Sequence, residues 1–295
     1  MKCEKVQITK NEAGDIPPTL KNSTPLITLY TFTMSPYAQK VHCYLQYKGL
    51  PFRCFYINPL RLKKDLPVGT QVPALTVGDQ SKTDSSAIGL WLDELFPDHV
   101  RLLPEDPTDK EAVLKIDQWI THRLIPGNFR FYPGVGFTPR RVLNGWRLGQ
   151  ILHKTSHGGI PLTLQAMWPL ILSQLGFLKD MVEMTDLHVP LKQANKALRE
   201  EFLAHLGDGP FLGGMTQPSL ADLSAYPHFV TPYLGGFRGA EEILEYPEIV
   251  AWLQRVRGYL NDTPPLMPAV AVKREFPGDQ NGVGYVDVNA RGQFS

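Results

Sequence analysis

The sequence predicts an α/β N-terminal domain followed by an all-α C-terminal domain, and three observations predict it. Residues 26–50, LITLYTFTMSPYAQKVHCYLQYKGL, read as a strand, a short loop and a helix. Two more runs of strand length, FRCFYI at 52–57 and QVPALTV at 71–77, follow before residue 84. Past a proline-containing linker, strand signals almost vanish and helical spacing takes over to about residue 260.

The bulk composition fits such a chain. Its 295 residues suffice for two domains of ordinary size, and 43% hydrophobic with 20% charged residues describe a soluble globular protein. Lys and Arg number 30 against 29 Asp and Glu, so the net charge of +1 argues against nucleic acid or a membrane surface as partner. The 3 cysteines, Cys3, Cys43 and Cys54, show neither C-x-x-C nor metal-ligand spacing. Reduced thiols, no metal and a cytoplasmic location are therefore expected. No apolar leader opens the chain and no run of 18 apolar residues occurs, so neither secretion nor membrane crossing is expected.

In chain order, residues 1–24 are mostly polar and read as an extension ahead of the fold. Leu26, Ile27, Leu29, Tyr30 and Phe32 form the first strand. Ser35 is a good N-cap, and Pro36 suits the first helical turn, where no backbone N–H is needed. Tyr37, Val41, Tyr44, Leu45 and Lys48 recur at helical spacing, and Gly49 ends the helix. A hydroxyl is thus held at the positive end of a helix just beyond a strand, which is a place to hold an anion. The second strand, 52–57, should run parallel to the first through a right-handed crossover. Residues 58–70 read as a basic loop or short helix. The third strand has Pro73 near its start, where a missing donor is tolerated at an edge. Lys82 and Thr83 give a short return strand after a turn at Asp79 and Gln80. Asp84, Ser85 and Ser86 cap the next helix, whose apolar stripe is Ala87, Ile88, Trp91, Leu92 and Leu95. Residues 102–107 read as a linker. Helices are predicted over 108–124, 160–184, 190–206, 219–230 and 246–260. The stretch 126–159, rich in Gly, Pro and Arg, gives no clean element, and the tail from Phe276 is Gly-rich and polar. The chain divides accordingly into 1–24, 25–100, a linker at 101–107, 108–275 and 276–295.

Four motifs in this order resemble those of the glutathione transferase superfamily. Ser35-Pro36-Tyr37-Ala38-Gln39-Lys40-Val41 resembles its active-site loop and first helix, and Gln71-Val72-Pro73-Ala74-Leu75 its cis-proline strand. Asp84-Ser85-Ser86-Ala87-Ile88 is similar to its glutathione signature. Phe211-Leu212-Gly213-Gly214, with Ser219-Leu220-Ala221-Asp222 and Pro227, resembles the capping motif of its helical domain. The resemblance implies a thioredoxin-like glutathione-binding domain at 25–100, an all-helical domain at 108–275, glutathione as co-substrate, a homodimer, and a small hydrophobic electrophile bound between the domains.

The same resemblance implies roles for residues. A cis bond before Pro73 would turn the Val72 backbone toward the cysteinyl part of glutathione, with Gln71 beside it. Ser85 at a helix N-terminus would receive the γ-glutamyl carboxylate, and Asp84 would meet the ammonium. Asp84 stands where the family usually has Glu or Gln, one methylene longer. Ser35 would donate a hydrogen bond to the thiolate. Lowering a thiol pKa of about 8.5 by ~2 units needs about 2.7 kcal/mol. A hydrogen bond to a charged group supplies roughly 1.5–3 and a helix N-terminus about 0.3–1. The other reading of Ser35 is a cap alone, and Tyr30, with Tyr37 second, is its rival for the catalytic hydroxyl, although both aromatics also fit the core pattern. Tyr37 would adjoin glutathione, and Tyr37, Trp119, His122 and Arg123 would line the electrophile pocket. Ile57-Asn58-Pro59-Leu60-Arg61 resembles the prostaglandin E synthase 2-like branch, although that branch has C-P-x-C where this chain has S-P-Y-A. A non-catalytic binding protein of the same fold, or a glutathione-dependent isomerase or reductase, is the alternative. Cys43, in mid-helix, reads as an inert buried thiol, and Ser219 with Asp222 as a capping box whose loss costs stability rather than chemistry.

Overall fold

The computed structural model describes residues 25–132, 138–172 and 174–279. The N-terminal unit is built on a four-stranded sheet in the order β2-β1-β3-β4, comprising β1 (Ile27–Thr31), β2 (Arg53–Tyr56), β3 (Ala74–Val77) and β4 (Gln80–Thr83). β1 and β2 are parallel and joined by α1 (Pro36–Tyr47), whereas β1–β3 and β3–β4 pair antiparallel. A 3-10 turn at Pro59–Arg61 and the single-turn α2 (Leu62–Asp65) occupy the basic loop. α3 (Ser85–Leu95) follows β4. Ile27, Leu29, Leu75 and Val77 alternate onto one sheet face and enter the main core.

The rest is helical. α4 (Pro107–Trp119) runs through a π turn, Ile120–Leu124, into α5 (Ile125–Phe131). Then come α6 (Pro139–Thr155), α7 (Leu162–Leu172), α8 (Gly176–Glu183), α9 (Leu191–Leu206), α10 (Leu220–Leu234) and α11 (Pro247–Arg257). α10 is buried from Leu220 to Tyr233 and packs on α1, α4 and α11. One core therefore spans both units, and a smaller one, around Leu152, Trp168 and Leu172, packs against Phe32. An α/β thioredoxin-like unit followed by an all-α unit is the observed architecture. No helix among the described residues is long and apolar enough to cross a membrane.

Several elements differ from the sequence reading. The stretch 126–159 holds most of α5 and all of α6. Pro126 and Pro139 sit in first helical turns, where they are compatible with a helix. Gly145 and Gly149, which look like loop signals, are contact positions. A Cβ on Gly145 would lie 2.9 Å from the Pro169 Cα, and one on Gly149 2.9 Å from the Gln165 carbonyl oxygen, so the glycines let α6 and α7 touch. The single helix predicted at 160–184 is two, α7 and α8. Residues 38–47 of α1 are buried on every side rather than along one stripe, because the helix lies between the sheet and α10. Residues 1–24 and 280–295, expected as an extension and the end of a tail, lie outside the described residues; Phe276 is buried against Tyr226 and beneath Arg257.

Candidate functional site

Strand register brings three motif segments to one end of the sheet. Tyr30 is paired with Ala74, and Ala74 with Thr83. Just past that row, the chain leaves β1 toward Ser35, enters β3 from Val72 and Pro73, and leaves β4 into Asp84 and Ser85. The Val72–Pro73 bond is cis, and the Val72 backbone lies outside the ladder, which begins at Ala74. Gln71, just before it, is exposed.

Ser35 is the N-cap of α1. Its extended backbone lets Oγ accept the Ala38 N–H at 3.4 Å, and the residue is buried. Among the described residues this hydroxyl accepts one hydrogen bond and donates none. Asp84 caps α3 in the same way: its Oδ1 accepts the Ala87 N–H at 2.9 Å. Its φ of 70° is the left-handed conformation that a non-glycine residue rarely adopts, a conformation that clusters at functional sites. Ser85, buried, is the first residue of α3. Tyr37 faces the same end, since burial and then the Asp84 carboxylate push its hydroxyl pKa above the ordinary value. The Tyr30 ring packs instead on Phe55, with centroids 5.4 Å apart, and Phe55 on His157.

Behind these segments lies a buried polar network that sequence reasoning missed. Lys40 Nζ is 2.7 Å from Asp117 Oδ1 and 3.0 Å from Thr121 Oγ1. Asp117 also accepts from Ser86 Oγ and Ser224 Oγ, each at 2.6 Å, and Tyr44 Oη lies 2.6 Å from Ser224 Oγ. The loop that carries Ser35 is tied down twice more. Gln39 Nε2 donates to the Thr33 carbonyl at 2.6 Å while its Oε1 accepts from Thr231 on α10, and Thr33 Oγ1 donates to Thr155 Oγ1 on α6. The helical unit thus fixes the geometry at Ser35.

A cavity of about 60 Å³ lies between the two units. Met34, Pro36 and Gln39 form one wall, and Asn128, Tyr132 and His228 belong to the other. Burial, and then Lys40, hold the His228 pKa down at about 3, so the imidazole is neutral. None of the four residues expected to receive an electrophile lines this cavity. Trp119 donates to Glu201 at 2.9 Å and Arg123 pairs with the same carboxylate at 2.6 Å, on an outward face where His122 is exposed too. His122 and Arg123 belong to the π turn, whose extra residue per turn departs from the α-helical spacing on which the sequence reading rests. Pro126, which cannot donate to the carbonyl four residues earlier, follows directly.

The remaining candidates behave as structural groups. Cys43 is fully buried and its thiol pKa is pushed up by burial. Cys54, whose thiol burial raises to about 12, lies 3.5 Å from His42 Nδ1. Ser219 and Asp222 form the capping box of α10, and Asp222 also accepts from Leu212 N and Trp252 Nε1. No group of three or more His, Cys, Asp or Glu able to hold a metal occurs among the described residues.

The N-terminal unit is similar in sequence to known proteins. Residues 29–100 match the family model described as the glutathione S-transferase N-terminal domain. Glutathione S-transferase Z1 of Arabidopsis thaliana is 39% identical over 87 residues, which is 27% of this chain and 38% of the plant protein. Pyrimidodiazepine synthase of Drosophila melanogaster is 37% identical over 93 residues, 29% of this chain and 37% of the fly protein. The chain therefore matches well under half the length of these curated relatives. Among solved structures, human glutathione transferase theta-2, in complex with glutathione and an unknown ligand, superposes with a TM-score of 0.54 at 24% identity, over 80% of this chain and 83% of that one. A rice glutathione S-transferase in complex with glutathione gives 0.51 at 17%, over 83% and 93%. At these identities the structures speak for the fold alone.

Proposed function

We propose, from the match of residues 29–100 to the glutathione S-transferase N-terminal domain, that the chain is a glutathione-dependent transferase of that superfamily. Ser35 holds the thiolate of bound glutathione, and a hydrophobic electrophile meets it from the cavity between the two units. The observation that carries this reading is the Ser35 hydroxyl. It is buried at the N-terminus of α1, and it accepts a hydrogen bond without donating one. Its proton is free for a sulfur anion, and the helix end adds positive potential.

The neighbouring groups suit the rest of a tripeptide thiol. The Val72 backbone, outside the ladder, would pair with the cysteinyl backbone as an added strand does. The N-terminus of α3 at Ser85 would receive the γ-glutamyl carboxylate. Asp84 spends Oδ1 on its cap and would turn Oδ2 to the ammonium, with Tyr37 alongside. Ser35 acts as hydrogen-bond donor, not as nucleophile, so no general base is needed. A cytoplasmic homodimer is the expected setting.

The test is calorimetric titration of reduced glutathione into the full chain, with the ultraviolet thiolate band of the bound thiol recorded across pH. Binding with a thiolate band near neutral pH, lost in Ser35→Ala, is the expected result. Binding without the band would make the protein a holder of glutathione rather than a transferase. No binding would remove the glutathione site.

A further inference from the structure

The outer face of α6 and α7 is apolar, and its margin is cationic. We propose that this face seats the protein on an anionic lipid surface.

α7 carries no charged residue, and its outward stripe includes Leu162, Thr163, Ala166 and Met167. A helix that is apolar on every side is ordinarily covered on every side. α7 is covered on one: Trp168 and Leu172 turn into the small core, where α6 packs. Leu162 is 68% exposed and Met167 52%. α6 adds Leu143 and Trp146, at 36% and 47%. Gly145 and Gly149 bring the two helices together, and Trp146 Nε1 donates to the Ala166 carbonyl at 2.8 Å. The two stripes therefore form one surface.

Charge selects what covers it. From residue 118 to residue 179 there are seven Lys and Arg and no Asp or Glu, an asymmetry that the whole-chain charge of +1 hides. Five of the seven are committed inside the protein. Arg123 pairs with Glu201, Arg130 and Arg147 donate to backbone carbonyls, Arg140 lies over Phe131, and Arg141 is buried. Lys154 and Lys179 are exposed. Lys154 continues the stripe of Trp146 and Gln150 at the end of α6 that leads into α7, and Lys179 follows the far end of α7. The next carboxylates, Asp180 and Glu183, are on α8.

An apolar surface with cations at its ends suits a helix that lies in the interface of an anionic bilayer. Trp146 suits the headgroup level, where amphipathic rings collect, and its N–H is already satisfied. The 11 residues of α7 reach about 16 Å, too short for a hydrocarbon core of about 30 Å, so the helix lies flat. A second copy fits less well. A two-fold contact would set this patch against itself, and the span from 118 to 179 offers no carboxylate to the facing lysines.

Co-sedimentation of the full chain tests this, with vesicles of phosphatidylcholine alone and of phosphatidylcholine with about 30% phosphatidylserine. The wild type should sediment with the anionic vesicles, less with the neutral ones, and less as salt rises. Leu162→Glu with Met167→Glu, shown to be folded by its thermal melt, should bind at least tenfold more weakly. Lys154→Ala should weaken binding about fivefold. Brominated lipid should quench the tryptophan fluorescence of the wild type, and Trp146→Phe should remove most of that quenching, which keeps the test independent of the charged variants. No binding to anionic vesicles would overturn the proposal, as would binding and quenching that these variants leave unchanged. A dimer that the double variant turns to monomer, with no vesicle binding, would overturn it in favour of a second copy on this face. Glutathione titration of the same variants should match the wild type.

Discussion

Lys40 Nζ lies 2.7 Å from Asp117 Oδ1, and the two side chains are 0% and 4% exposed. The pair joins α1 of the sheet unit to α4 of the helical unit, and Ser86 and Ser224 complete the carboxylate's hydrogen bonds. Removing one member of such a pair leaves a buried charge alone, at a cost of about 3–5 kcal/mol, whereas replacing both by apolar groups is often close to neutral. Lys40→Met should therefore lose about that much in urea unfolding, and Lys40→Met with Asp117→Leu should recover a good part of it. A single variant within ~1 kcal/mol of wild type would show that the pair does not hold the units together.

Ser35→Ala removes a donor to the thiolate and a helix cap together. The first effect should raise the pKa of bound glutathione by 1–2 units and lower kcat/KM by ~10–100-fold, the worth of a hydrogen bond to a charged group. The second should cost ~0.5–2 kcal/mol of stability. Tyr30→Phe should change neither, because the Tyr30 ring is committed to Phe55. Conjugation assays with a general electrophile, read beside thermal melts, check all three. If Tyr30→Phe carries the activity loss, the two residues exchange roles.

What is legible in the sequence here is what local chemistry fixes. Ser35 with Pro36, the strand run at β1, and Ser219 with Asp222 announce themselves because caps and strands depend on near neighbours. Lys40 does not. A lysine beside an apolar stripe reads as solvated, and its burial arises only because α10, carrying Ser224, covers the other side of α1. His228 is hidden for the same reason: it lies in the helix predicted over 219–230, but the residues that bury it come from other elements. The outward placement of His122 and Arg123 has a different cause: helical periodicity carries no sign of a π turn.

Asp222 gives a pH signature. Burial raises its pKa from 3.8 to about 6, outweighing the hydrogen bonds from Leu212, Trp252 and Ser219. Between these values the folded state binds more protons than the unfolded one, so stability falls as pH rises through the window. The group should contribute a loss of ~3 kcal/mol between pH 4 and pH 6, at 1.36 kcal/mol per unit. Asp222→Asn should be less stable than wild type at neutral pH, since an amide cannot accept all of those donors. It should also show a flatter stability profile from pH 4 to 6. Equal slopes for the two proteins in urea titrations would refute the assignment. Glutathione binding should be unchanged.

The α6–α7 contact sets two opposed effects against each other at Gly145. Alanine is favoured over glycine inside a helix by about 1 kcal/mol. A Cβ there would nevertheless meet Pro169 at 2.9–3.1 Å, and one of those atoms is backbone, which cannot swing aside. Overpacking of this kind costs ~1–3 kcal/mol, so Gly145→Ala should be destabilising on balance. Gly149→Ala should behave alike, because its Cβ would lie 2.9 Å from the Gln165 carbonyl oxygen. Gly176, in the first turn of α8, has nothing within 4 Å of an added Cβ and no left-handed φ, so Gly176→Ala should be neutral or stabilising by up to ~1 kcal/mol. Thermal and urea melts of the three variants decide it. If Gly145→Ala and Gly149→Ala gain stability as Gly176→Ala does, then α6 and α7 do not approach as closely as these glycines permit.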